Sequence, residues 1–180
     1  MKLMIASDLH GSAAYCEKMI RRWEAEKADK LLLLGDLLYH GPRNDLPEGY
    51  APKQVTAMLN GMKQDLLAVR GNCDAEIDQT VLAFPIMAEY LILPVNDRIL
   101  YATHGHHFNK EHPLPMNDGD ILLNGHFHIA ECTDTGSFLY MNPGSAALPK
   151  DGHHSYMTLQ DGHFLWKDIH DGSVFMEYTI

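Results

Sequence analysis

Seven residues of metal-ligand type stand in short polar motifs that interrupt apolar runs: Asp8 and His10 in "SDLHG", Asp36 in "LGD", Asn72 in "RGNCD", His104 in "THGHH", and His126 with His128 in "NGHFH". Imidazole, carboxylate and amide together, without thiolate, suit a borderline to hard divalent ion such as Mn²⁺, Fe²⁺ or Zn²⁺ better than a closed structural zinc site. Seven donors exceed the four of one tetrahedral ion, so two ions sharing a ligand fit the set better. The stretch "ILLNGHFHIA" carries its own geometric expectation. Residues two apart in an extended chain point the same way, so His126 and His128 can face one point if strand geometry persists past Gly125. Taken singly, each residue has a plainer use: an Asp or Asn after a strand serves a turn, and a loop histidine satisfies itself locally. The joint pattern favours a metal, because α/β sheets bring the carboxyl ends of their strands to one crevice.

The elements that must position these residues change character along the chain. Lys2 to Ser7 reads as an apolar strand. Ser12 can cap a helix from Ala13 to Glu26, on which Tyr15, Met19, Ile20 and Trp23 recur at helical spacing. "KLLLLGD" is a continuous apolar run of the kind buried on both faces in a parallel sheet, and Pro52 can open a second helix to about Met62. A third strand leads into "RGNCD". Strands then follow over Met87 to Leu93, Arg98 to Thr103, Ile121 to Leu123, Ala130 to Thr133, Ser137 to Met141, Tyr156 to Gln160, Phe164 to Ile169 and Val174 to Thr179. "PVND" is among the turns, and Asp161-Gly162 and Asp171-Gly172 are hairpin signals. Helix-connected strands followed by a meander predict two packed sheets with helices outside.

With 180 residues and 46% hydrophobic composition, the chain supports one domain over 1–180. Acidic residues outnumber Lys and Arg 24 to 14, giving a formal net charge of −10. That argues against the basic surface needed for long nucleic acids, so any phosphate is expected to be met at a site with its own positive charge. No apolar run approaches the roughly 20 residues of a membrane span, and the short apolar start lacks a signal-peptide pattern; a cytoplasmic protein is expected. Cys16, Cys73 and Cys132 are too scattered for a disulfide framework.

In their order and spacing, the DxH, GD, GN, inverted Gly-His ("THGH") and GHxH motifs resemble those of the calcineurin-like metallophosphoesterase superfamily, over most of the chain. Short length and the "HGPRN" segment make the sequence most similar to its compact bacterial YfcE-like phosphodiesterase group. The resemblance implies a layered α-β-β-α sandwich of two mixed sheets, and a phosphodiesterase in which a hydroxide bridging two divalent ions attacks phosphorus. Asp8, His10, Asp36 and His128 would hold one ion, and Asp36, Asn72, His104 and His126 the other. Mn²⁺ is the expected metal, with Fe²⁺, Zn²⁺ or Mg²⁺ as alternatives, and a small phosphodiester the expected substrate.

One position departs from the family pattern. Many relatives carry His after the motif Asn, where it can assist the leaving group; here it is Cys73, read as a small half-buried turn residue facing substrate rather than as a nucleophile. Asp74 is then expected to serve a turn or support the ligands by hydrogen bonding. Arg43 has a fork suited to a phosphate oxygen, and His106 lies close enough to His104 to contact substrate. The remaining histidines, from His107 to His170, read as surface residues, and "NPGS" (Asn142 to Ser145) as a structural turn. Two rival functions are a metal-dependent phosphomonoesterase or protein phosphatase, and a non-catalytic interaction scaffold of the retromer-subunit kind on the same fold. The C-terminal strand "VFMEYTI" is a candidate contact for self-association.

Overall fold

The structure is a computed structural model that describes residues 1–180. Leu3–Ala6 (β1), Lys30–Leu33 (β2) and Leu66–Ala68 (β3) run parallel to one another. Their apolar residues are consecutive because both faces are covered. Met4, Ala6, Leu31 and Leu33 share one core with Tyr15 and Met19 of α1 (Ala13–Glu26) and Val55 and Leu59 of α2 (Pro52–Gly61). The intervening Leu3, Ile5, Leu32 and Leu34 enter a second core with Leu100, Ile121, Leu123, Met141 and Trp166. As predicted, Ser12 caps α1: its hydroxyl accepts from the Tyr15 N–H at 3.2 Å.

The other strands are Tyr90–Val95 (β4), Arg98–Thr103 (β5), Ile121–Leu123 (β6), Ala130–Asp134 (β7), Leu139–Pro143 (β8), Ser155–Gln160 (β9), His163–Asp168 (β10) and Val174–Thr179 (β11). They complete a six-stranded sheet of order β11-β10-β9-β1-β2-β3 and a five-stranded sheet of order β4-β5-β6-β8-β7. Both sheets are mixed: β9 joins β1 antiparallel, whereas β5, β6 and β8 run parallel between antiparallel edges. Sheet packs on sheet through the second core, as expected.

Two details differ from expectation. Both α-helices lie against the six-stranded sheet, because only the segments around β1, β2 and β3 have helical periodicity. The outer face of the five-stranded sheet carries loop cover instead: Asn124 Nδ2 donates to the Phe108 carbonyl at 3.2 Å, and Lys110 Nζ lies 4.9 Å from the centre of the Tyr140 ring. The strand expected over Met87–Leu93 runs over Tyr90–Val95 instead, and only Asn96 and Asp97 separate the paired Val95 and Arg98. Pro94 is tolerated because β4 is an edge, and Asn96, at φ 55°, adopts the left-handed conformation a two-residue hairpin needs.

Candidate metal centre

Loops leaving β1, β2, β3, β5 and β6 bring the seven candidate ligands together. Asp8 Oδ1 is 3.2 Å from His128 Nε2 and 3.6 Å from His10 Nε2, and the two imidazole nitrogens are 3.3 Å apart. In the second group, His104 Nε2 lies 3.0 Å from Asn72 Oδ1 and 3.2 Å from His126 Nδ1. Asp36 Oδ2 faces both groups, at 3.6 Å from His10 Nε2 and 3.4 Å from His104 Nε2. Atoms bound to one ion at roughly 2.0–2.2 Å stand about this far from each other.

Hydrogen bonding fixes the tautomers. His10 Nδ1 donates to the Tyr39 carbonyl at 2.9 Å, and His104 and His128 Nδ1 donate to the Leu34 and Leu148 carbonyls at 2.6 Å. A carbonyl only accepts, so each Nδ1 carries a hydrogen and each Nε2 faces the centre, where it can ligate a metal once deprotonated. Asp8 divides in the same way: Oδ2 accepts the His126 N–H at 3.0 Å, while the buried Oδ1 has no hydrogen-bond partner. Inward-facing imidazole nitrogens around an orphaned carboxylate oxygen fit a cation.

Electrostatics agree. Burial works against ionisation of Asp8, yet the closeness of His10 and His128 and the charge of His104 hold its carboxyl well below the ordinary range. Burial also disfavours charge on His104, but its bond to Asp36 and the charges of Asp8 and Asp36 raise it to about 9. A divalent ion entering this group therefore displaces a proton.

The expectation of persistent strand geometry at His126 and His128 is corrected. They have φ of 65° and 60°, and Asp8, His10 and Asp36 have φ of 59°, 47° and 55°. Left-handed backbone ends each strand abruptly and turns its ligand inward, an arrangement costing of order 1–3 kcal/mol per residue that surrounding contacts must offset. Those contacts are visible. Asp74 accepts the N–H groups of Asp36, Leu37 and Gly71, each at 2.8 Å, and so joins the "GD" loop to the "GN" loop. Gly71 is required because a Cβ there would overlap Asp36, and Gly125 because a Cβ would overlap Ser7 Oγ. "NPGS" is more than a turn: Asn142 Nδ2 donates to the Gly125 carbonyl at 2.8 Å and Ser145 Oγ to the Asp8 carbonyl at 2.9 Å.

A cavity of about 270 Å³ opens on the centre, lined by His10, Asp36, Asn72, His126 and His128 together with Arg43 and Cys73. The Cys73 thiol is pushed up to about 12, by burial first and the Asp36 charge second, so it stays protonated. His106 is not on the cavity wall; its ring centre is 5.4 Å from that of His104. Lys150 and Phe127 do line the cavity, and sequence reasoning missed both. Lys150 arrives because its N–H donates to the His128 carbonyl at 2.8 Å, a contact with no local sequence signal. His154, expected at the surface, is partly buried: it stacks on Tyr15 with ring centres 4.1 Å apart and accepts the Tyr15 hydroxyl at 2.9 Å.

Comparisons with known proteins give the family and the fold. Phosphodiesterase YfcE of Escherichia coli strain K12 is 42% identical over 165 residues, which span 92% of this chain and 90% of the relative. The solved structure of E. coli YfcE, described as a phosphoesterase, superposes with a TM-score of 0.96 at 41% identity over the whole of both chains. Vacuolar protein sorting 29 from Entamoeba histolytica, solved with zinc, shares the fold, with a TM-score of 0.63 at 20% identity over 99% of each chain. The family model of the calcineurin-like phosphoesterase superfamily domain matches residues 1–161, and the chain belongs to that superfamily.

Proposed function

We propose that this chain hydrolyses small phosphodiesters using two divalent ions, one held by Asp8, His10, Asp36 and His128 and the other by Asp36, Asn72, His104 and His126. One observation carries the reading: Asp36 Oδ2 faces both donor groups while its Oδ1 is held by the Cys73 N–H at 2.8 Å. When bound, such a pair of ions generates the nucleophile at neutral pH and stabilises charge on the attacking and leaving oxygens. The chain's own residues do the rest. Arg43 and Lys150 bring positive charge to the cavity, where the net charge of −10 turns long polyanions away. Cys73 lines the cavity, and its N–H holds Asp36 Oδ1. All seven donors are of competent type, which weighs against the scaffold reading. The oxygen and imidazole donor set supports Mn²⁺, with Fe²⁺, Zn²⁺ or Mg²⁺ as alternatives. Self-association through β11 is supported by its position at a sheet edge and by exposed Val174 and Phe175; a monomer in light scattering at working concentration would remove it.

The test is hydrolysis of bis(p-nitrophenyl) phosphate and p-nitrophenyl phosphate by metal-stripped protein, with each metal returned singly. Activity restored by a metal and greater on the diester is expected. No turnover despite confirmed metal binding would defeat the reading.

A further inference from the structure

Phe127 stands between the two histidines of "GHFH", and 39% of its surface is exposed. It enters neither hydrophobic core. Its backbone is nevertheless held tightly. The Phe127 N–H donates to the Gly125 carbonyl at 2.7 Å, and the histidines on either side are tied to Asp8 and Leu148. The ring centre lies 5.2 Å from that of His126, with the rings at 78°. Around it, the cavity wall consists of ligand-type residues, the cations Arg43 and Lys150, Asn44, and the small Gly41, Pro42 and Cys73. A single pre-positioned aromatic ring on an otherwise polar wall offers a flat surface to a flat group, with cations nearby for the phosphate.

We infer that Phe127 is a specificity-determining residue that stacks on a planar ring carried by a group esterified to the substrate phosphate, so that the preferred diesters carry an aryl group or a nucleoside. This deepens the phosphodiesterase reading and rests on it. The cavity volume of about 270 Å³ suits one such ring beside the phosphate rather than a run of nucleotides.

The test uses the metal-loaded full chain and two pairs of competitive inhibitors with matched head groups. Phenylphosphonate is set against methylphosphonate, and thymidine 5′-monophosphate against 2-deoxyribose 5-phosphate, while diester turnover is followed. In the parent, the ring-bearing member of at least one pair should bind about tenfold more tightly, the size of one stacking contact. The pair that shows the advantage distinguishes an aryl from a nucleobase source. Phe127→Ala and Phe127→Leu should reduce that advantage to within about twofold, and Phe127→Tyr should restore it. Equal inhibition within both pairs in the parent, or an advantage that survives Phe127→Ala, overturns the stacking role while diester turnover stays intact. Absence of diester turnover with every restored metal overturns the phosphodiesterase reading and this inference with it.

Discussion

Replacing Asp74 separates the contribution of its shape from that of its charge. Its carboxylate accepts three buried N–H groups, from Asp36, Leu37 and Gly71, at 2.8 Å each. Asp74→Ala strands all three at about 1–3 kcal/mol apiece, and some rehydration through the vacated volume brings the expected loss to about 4 kcal/mol. Asp74→Asn keeps the shape. Its amide oxygen can serve Asp36 and Gly71, and only the Leu37 N–H loses its acceptor. The charge removed is one the site disfavours: burial first, then the nearby Asp36 charge, raise the Asp74 carboxyl above its ordinary value despite the three donors. The expected loss for Asp74→Asn is therefore about 1–2 kcal/mol. Urea unfolding of the metal-free proteins near neutral pH measures both. In each variant, affinity for Mn²⁺ should fall about 10–100-fold, because the loops carrying Asp36 and Asn72 are no longer tied. An alanine variant within about 1 kcal/mol of the parent, or an asparagine variant as unstable as the alanine, would refute this account.

Two further perturbations probe the scaffold. Gly71→Ala places a methyl against Asp36 backbone and carboxylate, so Asp36 must shift; metal-dependent turnover should fall at least about 100-fold, and a loss under about threefold would contradict the tight approach. Glu26 ties α1 to Lys2, Lys167 and Tyr156 at 2.5, 2.5 and 2.8 Å; burial opposes its charge, but these partners bring its carboxyl down to about 2 from an ordinary 4.5. The lowered value stabilises the fold above about pH 4.5, and about 1–2 kcal/mol of that should be lost as pH falls towards 2. In acid titrations of unfolding free energy, Glu26→Gln should flatten this window; an unchanged slope would show that the pairs contribute nothing.

The strands that position the site were legible because β1, β2 and β6 are continuous apolar runs that end at glycine or polar ligand-type residues. Helix α1 was legible down to its Ser12 cap, since hydrophobic period and capping are local properties. What escaped depends on distant contacts. Extended-chain logic brought His126 and His128 to one point, whereas the structure turns them into different donor groups on a left-handed backbone stabilised by a bond from the His126 N–H to Asp8, 118 residues away. Asn142 and Ser145 support that loop and the Asp8 loop through side-chain bonds that a local turn motif does not announce. The strand continued into the expected turn "PVND" because, on an edge strand, the missing N–H of Pro94 costs no ladder bond. Phe127 lay in plain view inside "GHFH", but its exposure is a property of the folded loop.

The most direct test of the central claim is divalent metal content per chain, measured by mass spectrometry after reconstitution and exhaustive dialysis, on the parent and Asp36→Ala alongside diester turnover. Two ions per parent chain are expected, with at most one retained and turnover abolished in a still-folded Asp36→Ala. A fully active parent holding one ion, or an Asp36→Ala chain that keeps two ions and near-parent turnover, would contradict a centre bridged by Asp36.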